Sequence, residues 1–332
     1  MRGSFDNSGK LVKLIFRRER IMSAVWIVIL VLFSVALAAG INEMFPDTEA
    51  RSTFAQTIDN PIMVAMMGPV YGLDNYTSGA MYGGMMLLWY VIAVAVMNVF
   101  FVARHTRADE ESGRGEVVRS LPVGRLSNIN AAMVSAAVLN SVLGLLTGLG
   151  IAAMGIEGMG FAGSMVYGMA SGAAGLVFAA IAALFCQLSS NTGGATGLSF
   201  AALGVLYMLR AAGDMQGSEV LACISPLGLV LRAQTFTGNR VWPILVLLLE
   251  AVVIAAAAYK LNTMRDLGQG FIAAKPGRRE ASRLLRSPAG LAVRLLRGML
   301  SRAAHNWFRL VTAVKSGTWV EHRRLIAVGT IP

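Results

Sequence analysis

The sequence has few charged residues for its length. Asp, Glu, Lys and Arg make up 14% of its 332 residues, whereas a soluble globular domain carries about a quarter. Hydrophobic residues account for 55% of the chain, and the mean hydropathy is +0.61. This composition excludes a water-soluble core as the main architecture, so we expect a membrane protein.

Cysteine and histidine are also scarce. Cys186 and Cys223 are too few for a disulfide framework, and neither has Cys or His neighbours at the spacing of metal ligands. The three histidines, His105, His305 and His322, lie far apart in sequence and among basic residues. We therefore expect no metal site, no catalytic cluster and no bound cofactor.

The chain also lacks the loop by which many proteins hold ATP. No Gly-x-x-x-x-Gly-Lys-Ser/Thr motif occurs anywhere in the sequence. The chain cannot hold ATP by that device, so an ATP-driven activity would need a partner that does. The sequence also has no group of Ser, His or Asp residues at a predicted membrane interface that could form a catalytic site, so we do not expect an enzyme.

What the sequence does have is a series of long apolar runs. A membrane-spanning helix needs about 20 predominantly apolar residues, because hydrocarbon offers no partners for backbone polar groups. Six runs qualify, over residues 21–41, 82–103, 131–154, 165–186, 195–212 and 242–261. They predict an all-α, polytopic fold with a six-helix transmembrane domain over residues 21–261.

The basic residues are distributed unevenly between the connections. They cluster in residues 2–20, in residues 104–125 and after Lys260, whereas the connection over residues 42–81 has Arg51 as its only basic residue. The positive-inside rule then places both termini in the cytoplasm and the loop at 42–81 outside a bacterial plasma (inner) membrane. This asymmetry accounts for the net charge of +11 without a nucleic-acid partner.

Small residues recur within the apolar runs at the spacing that brings helices together. Gly144 with Gly148, and Gly168 with Gly172, are four residues apart. Such pairs allow the backbones of two membrane helices to approach closely. We therefore expect tight helix packing here.

Two cytoplasmic segments have amphipathic patterns. In residues 1–20 the side chains of Leu11, Leu14 and Ile15 share one helical face and most charges the other, which is typical of a helix in the membrane interface. In the connection at 104–130, residues 116–121 can form a short helix that Pro122 ends. That helix could dock a cytoplasmic partner, although a solvated loop remains the alternative.

An ordered set of motifs resembles one family. The motifs include Glu110-Glu-Ser-Gly-Arg114, Leu121-Pro-Val-Gly-Arg125, Pro69-Val-Tyr-Gly-Leu-Asp74, Arg210-Ala-Ala-Gly-Asp214, Ser225-Pro-Leu-Gly228 and Arg265-Asp-Leu-Gly-Gln-Gly270. Together they resemble the permease subunits of ABC-2-type exporters, in the group that exports polyketide antibiotics. The resemblance runs from about residue 10 to residue 299 and is to the N-terminal half of such permeases.

The resemblance implies an ATP-driven efflux permease for amphipathic compounds such as antibiotics or drugs. A separate ABC-type ATPase would bind ATP and grip the connection at 104–130, which would act as the coupling helix. The residues that would form this contact combine a charged rim with a small apolar centre: Glu110, Glu111, Arg114, Glu116, Val117, Val118, Arg119, Leu121 and Arg125.

The C-terminal part departs from the family. Residues 262–299 form a basic segment that resembles the start of a second six-span half, but residues 300–332 contain no apolar run of membrane length. We expect a poorly packed tail there. The chain is then either a natural half-permease that dimerises or pairs with a second half, or the product of a truncated gene.

Three polar residues fall within or beside the apolar runs. Glu250 lies inside the sixth run, where a carboxylate is either a functional group or a neutral one that faces the bundle. Arg210 lies near the end of the fifth run, from which it could snorkel to the interface and pair with Asp214. Two alternative functions stay open. If Glu250 is the proton-coupling residue, the chain is a secondary transporter, and if the gene is truncated, the chain is a membrane scaffold that does not transport.

Overall fold

The computed structural model describes residues 4–58, 60–114, 120, 122–265, 270–272, 292 and 296. The chain divides into one unit over Met1–Ala274 and a second over Lys275–Pro332. All elements described here belong to the first unit. Within the described residues the secondary structure is helical, apart from a single bridge between Ser189 and Ile272.

Six long helices form the bundle, and each coincides with one predicted span. They are α1 (Ser8–Met44), α4 (Ser78–His105), α6 (Ser127–Ala152), α7 (Phe161–Leu188), α8 (Thr192–Met215) and α11 (Trp242–Met264). All six are long and apolar enough to cross a membrane. The prediction of an all-α, six-span fold is therefore confirmed.

Among the described residues, five short helices and a 3₁₀ turn lie in the connections. They are α2 (Thr48–Ile58), α3 (Pro61–Met67), a 3₁₀ turn (Leu73–Asn75), α5 (Arg107–Glu111), α9 (Glu219–Cys223) and α10 (Pro226–Arg232). We call the end of the bundle that holds residues 4–20, 104–114, 122–127 and 259–265 the basic end. The end that holds α2, α3, α9 and α10 is the opposite end.

Helix α7 lies at the centre of the bundle, in contact with α4, α6, α8 and α11. Its sequence is rich in Gly and Ala, so neighbouring backbones can come close on every side. A Cβ atom added to Gly168 would lie 2.0 Å from the carbonyl oxygen of Gly144, and one added to Gly172 would lie 2.9 Å from that of Asn140. The predicted tight packing of α6 against α7 is present at these glycines.

Polar pairs bridge the buried faces of the helices. The amide of Asn98 in α4 donates to that of Asn140 in α6 at 3.0 Å, and Asn140 donates back at 2.7 Å. Each amide also donates to a carbonyl in its own helix. The hydroxyl of Tyr82 lies 2.6 Å from that of Ser34 in α1 and 3.1 Å from that of Tyr167 in α7. These bonds satisfy polar groups that the apolar interior would otherwise leave without partners.

Helix α1 corrects the expectation for residues 1–20. Its 37 residues form one helix, about 55 Å long at 1.5 Å per residue, whereas the hydrocarbon core is about 30 Å thick. The amphipathic segment therefore continues the first span instead of forming a separate helix in the interface. Residues 4–7 fold back onto the start of α6, where the backbone N–H of Leu126 donates to the carbonyl oxygen of Ser4 at 2.9 Å.

The connection over residues 42–81 contains helices that periodicity did not predict. Asn60 caps α3, accepting from the backbone N–H groups of Ile62 and Met63 at 3.1 Å, and Pro61 fits the first helical position. Arg51 in α2 donates to the carbonyl oxygens of Phe45 and Tyr76. The connection is thereby held together as a structured cap at the opposite end.

Candidate functional site

A network of ion pairs surrounds α5 at the basic end of the bundle. The chain leaves α4 at Thr106, whose hydroxyl donates back to the carbonyl oxygen of Val102 at 2.7 Å. It then forms the single turn of α5, which has Asp109, Glu110 and Glu111 in succession. Consecutive residues of a helix point in different directions, so the three carboxylates reach three separate parts of the bundle.

Glu110 links α5 to the chain that leaves α11. Its carboxylate accepts from Arg107 at 2.9 Å and from Arg265 at 2.6 Å, and its side chain is only 10% exposed. Arg107 in turn donates to the carbonyl oxygen of Ser190, between α7 and α8. A largely buried carboxylate with charge-assisted bonds to two guanidinium groups makes this a firm junction.

Glu111 caps the N-terminus of α8. Its carboxylate accepts from the backbone N–H of Thr192 at 3.0 Å and from the hydroxyl of the same residue. A negative charge is stabilising there because the first N–H groups of a helix have no partners within the helix. This contact fixes α5 against α8 across 81 residues of sequence.

Asp109 and Glu19 link α4, α5 and α1. Asp109 accepts from Arg18 of α1 at 3.1 Å, and Arg114 lies 3.5 Å away on its outer side. Glu19 of α1 is 4% exposed and lies 3.1 Å from the Nε atom of Arg104 in α4. The N-terminal part of α1 is thus tied to the connection that follows α4.

Hydrogen bonds also hold the C-terminal end of the connection at 104–130. Arg125 donates to the carbonyl oxygen of Arg265 at 2.9 Å. The side chain of Asn7 donates to the carbonyl oxygen of Pro122 at 2.6 Å, and the backbone N–H of Gly124 donates to Asp6 at 3.0 Å. The connection at 104–130 is therefore held at both ends by α1, the residues before it and the end of α11.

Several predicted coupling residues lie outside the part of the chain that the structure describes. These are Glu116, Val117, Val118, Arg119 and Leu121. Among the remaining ones, Glu110 and Glu111 bind their own chain, and Arg114 pairs with Asp109 at 3.5 Å while its side chain is 67% exposed. Their role in docking an ATPase stays a prediction. Sequence patterns did not indicate Arg18, Asp109, Thr192 and Arg265 as members of the network, since no local motif joins residues so far apart.

A second charged cluster lies at the opposite end. Arg210 is fully buried and donates to the carbonyl oxygen of Ala65 at 2.7 Å, in the last turn of α3. Its predicted pair with Asp214 is present at 3.3 Å, and Asp214 also accepts from Arg232 at 2.8 Å. The guanidinium of Arg210 is enclosed beneath α3, and its reach to the membrane interface stays a prediction. Burial acts to lower the pKa of Arg232, but the bonded carboxylate of Asp214 outweighs it, and the pKa is raised.

Glu250 stands apart from both clusters. It is half-buried on α11, beside the buried stripe of Leu247 and Ala251. Its Oε2 atom is enclosed and has no hydrogen-bond partner among the described residues. The structure therefore places a lone carboxyl group at the edge of the packed bundle.

An open cavity of about 590 Å³ lies between α1, α4 and α8. Its walls are apolar and include Met22, Trp26 and Ile29 of α1 with Phe100 and Phe101 of α4. Polar groups gather at its basic end, where Glu19, Arg104, Thr192 and Thr196 line it. The cavity therefore has apolar walls and one polar end, which we call its mouth. No group of three or more His, Cys, Asp or Glu side chains in the described ranges is arranged to hold a metal ion.

Comparison with known proteins gives concordant matches. Residues 9–260 match a family model described as the C-terminal domain of the multidrug efflux system permease Rv1217c. The chain is also 39% identical, over 305 residues, to the multidrug efflux system permease protein Rv1217c of Mycobacterium tuberculosis (strain ATCC 25618 / H37Rv). That alignment covers 90% of this chain and 54% of the relative, so the chain spans about half the relative's length.

These matches confirm the resemblance to exporter permeases that the ordered motifs had indicated. Because the matched family model is named for a C-terminal domain, the likeness to an N-terminal half stays a prediction. The matched range extends from the start of α1 almost to the end of α11, so it includes all six spans. The chain therefore belongs to the family of multidrug efflux system permeases.

Proposed function

We propose that the chain is the membrane-spanning subunit of an ATP-driven, ABC-type exporter of amphipathic compounds such as antibiotics or drugs. A separate ATPase binds and hydrolyses the ATP. The name of the Mycobacterium tuberculosis relative supports efflux as the activity. The absence of a phosphate-binding loop from the sequence supports the need for a partner.

The observation that carries the proposal is the attachment of one short connection to several spans. Asp109 joins it to α1, Glu111 joins it to α8, and Glu110 joins it to the end of α11. A partner that pulls on this connection would therefore act on three spans at once. Such a junction suits a coupling element, which has to convert a movement outside the membrane into a rearrangement within it.

The proposal includes an orientation and a second permease half. The surplus of Arg and Lys at the basic end supports a cytoplasmic position for that end in a bacterial plasma membrane. Since the chain spans about half the length of its relative, a second half or a second copy would complete the pathway. Exposed apolar side chains on α1 and α11, including Leu32 and Leu249, would face lipid or that second half.

Charge reversal within the connection tests the coupling role. We expect the double variant Glu116→Arg with Arg119→Glu to insert and fold but to lose co-purification with the partner ATPase and its substrate-stimulated hydrolysis. A single reversal should cost less, because an exposed ion pair contributes about 0–1 kcal/mol.

The matched control is Glu49→Arg with Arg240→Glu. Both residues are exposed at the opposite end, and the net charge again stays constant. This control should bind and stimulate the ATPase like the wild type. Wild-type binding and stimulation by the Glu116 and Arg119 variant would contradict the coupling role.

A second candidate function is proton-driven transport, which the lone carboxyl group of Glu250 favours. Proton coupling and ATP hydrolysis, as alternative energy sources, predict different results for the variant Glu250→Gln. A proton-coupled carrier would lose transport and would work without the ATPase, whereas the proposed exporter would keep ATP-dependent efflux. A scaffold that does not transport would bind the ATPase and move nothing in either case.

A further inference from the structure

We infer that the cavity between α1, α4 and α8 is a binding site for an anionic phospholipid, with an acyl chain along its apolar walls and the phosphate on Arg104. The position of this lipid in the cytoplasmic leaflet rests on the orientation proposed above. Binding itself does not depend on transport, so the two can be tested separately.

The depth of the cavity matches one leaflet. On α1 it extends from Glu19 to Ile29, ten residues along the helix, or about 15 Å at 1.5 Å per residue. The hydrocarbon core of a bilayer is about 30 Å thick, so one leaflet contributes half of that. Several of the lining side chains are also exposed, Met22, Ile29 and Phe100 among them, so the cavity opens toward the membrane. An acyl chain can enter sideways and reach its full depth.

The charge at the mouth selects the headgroup. Glu19 is 4% exposed and lies against Arg104 and Arg18, so its carboxylate is enclosed and compensated. Arg104 is 53% exposed and contacts Glu19 through Nε. Arg104 therefore presents an accessible positive charge at the mouth, with Glu19 buried behind it and the carboxylate of Glu111 bonded to Thr192. A guanidinium group of this kind binds phosphate through its terminal N–H groups.

The other groups at the mouth already have partners. Thr192 donates to the carboxylate of Glu111, and the hydroxyl of Thr196 donates to the carbonyl oxygen of Thr192. Arg18 is held by Asp109 at 3.1 Å. This leaves Arg104 as the cation at the mouth, among the described residues, that an incoming anion can reach. A zwitterionic headgroup would bring its own cation beside Arg104, which makes an acidic phospholipid the better fit.

Trp26 lines the cavity and can report on its occupant. The full-length protein is reconstituted in phosphatidylcholine vesicles that contain a small fraction of dibrominated phosphatidylglycerol or dibrominated phosphatidylcholine. Bromine on the acyl chain quenches a nearby tryptophan, and the difference between wild type and Trp26→Phe isolates the signal of Trp26. We expect the anionic probe to quench the fluorescence of Trp26 at about fivefold lower mole fraction than the zwitterionic probe. The reason is that one basic residue near the membrane surface contributes about 1 kcal/mol to the binding of an anionic lipid.

Variants separate the site from general surface charge. Arg104→Gln should abolish the preference, and Arg104→Lys should retain it. Arg20→Gln removes an exposed charge from α1, at the same end of the bundle but outside the cavity, and should leave the preference intact. Arg104→Gln could fold poorly because Glu19 loses its partner. In that case the double variant Glu19→Gln with Arg104→Gln replaces it, and this variant should lack the preference for the anionic probe. Equal quenching by the two lipids in wild type, or an equal loss in Arg20→Gln and Arg104→Gln, would overturn the inference.

Discussion

At the scale of single residues, Arg210 shows how a buried charge is accommodated at the opposite end. Its guanidinium donates to the carbonyl oxygens of Val64 and Ala65, in the last turn of α3, where helix carbonyl groups run out of partners within the helix. Asp214 supplies the opposite charge and is shared with Arg232. Arg210 therefore connects α8 to α3 directly and to α10 through Asp214. These contacts explain how the guanidinium group can stay buried beneath α3.

Removal of this side chain should destabilise the protein strongly. We expect Arg210→Met to lower the free energy of unfolding by about 3–5 kcal/mol, the usual cost of breaking a buried ion pair. The exposed Arg240 provides the control, since Arg240→Met should stay within about 0.5 kcal/mol. Thermal unfolding of the purified variants in detergent measures both. Similar stability of the two variants would show that the cluster is dispensable.

The reciprocal amides of Asn98 and Asn140 provide a second prediction at this scale. Asn98→Leu and Asn140→Leu should each leave a buried amide without its partner and so destabilise the contact of α4 with α6. The double variant should be less destabilised than the sum, with a coupling free energy of about 0.6–2 kcal/mol, the range found for hydrogen bonds between membrane helices.

A cycle with Ser141, the residue beside Asn140, serves as the comparison because its hydroxyl is bonded within its own helix and not to Asn98. Ser141 is exposed and donates to the carbonyl oxygen of Ala137 in its own helix. Asn98→Leu and Ser141→Ala should therefore be additive within about 0.5 kcal/mol. Unfolding of all variants in the same detergent gives both coupling free energies. Additivity in the Asn98 and Asn140 cycle would mean that the amides do not stabilise each other.

At the scale of elements, the contact between α6 and α7 depends on the absence of side chains. A Cβ atom at Gly168 would lie 2.0 Å from the carbonyl oxygen of Gly144. The two backbones cannot retain this distance if either glycine is replaced. Gly204 on α8 has open space around its Cα atom and is the natural comparison.

We therefore expect opposite effects of the same substitution at the two positions. Gly168→Ala should separate the helices and lower stability by about 1–3 kcal/mol, as overpacking usually does. Gly204→Ala should be neutral or stabilising by up to about 1 kcal/mol, because alanine is the better helix former. Unfolding temperatures in detergent provide the measurement. A destabilised Gly204→Ala beside an unaffected Gly168→Ala would contradict the close contact.

The long helices could be predicted from the sequence because hydrocarbon imposes their length and polarity. The predicted run at residues 82–103, for example, falls within α4 (Ser78–His105). The short helices α3 and α10 were missed because they have too few residues for a periodic pattern. Their only local signals are Asn60-Pro61 and Ser225-Pro226, a capping residue followed by proline at the first position.

The candidate site could be located from the sequence but not assembled from it. The motif that begins at Glu110 lies in the connection that forms the ion-pair network, and the pattern of Arg210 with Asp214 predicted their ion pair. The partners of the acidic residues lie far away along the chain: Arg18 is 91 residues from Asp109, and Arg265 is 155 residues from Glu110. Periodicity and local motifs contain no information on such contacts, which depend on how the spans pack.

At the scale of the whole molecule, the proposed orientation can be tested by chemical access. Cys186 is buried and Cys223 half-buried, so both are first replaced by alanine. A cysteine at Glu49, exposed on α2, should react with a membrane-impermeant maleimide applied to intact cells. A cysteine at Ser112, exposed beyond α5, should react only after permeabilisation. Labelling in the reverse pattern would invert the orientation.

The length of α1 has a mechanical consequence. Ser34 joins the helix to Tyr82 within the bundle. From that point the helix extends about 39 Å to Ser8 but only about 15 Å to Met44, at 1.5 Å per residue. If Ser34 acts as a fulcrum, the helix is a lever with unequal arms, and a tilt of about 10° would move Ser8 by roughly 7 Å and Met44 by less than half of that. A wide stroke at the basic end would then become a short but more forceful displacement at the opposite end.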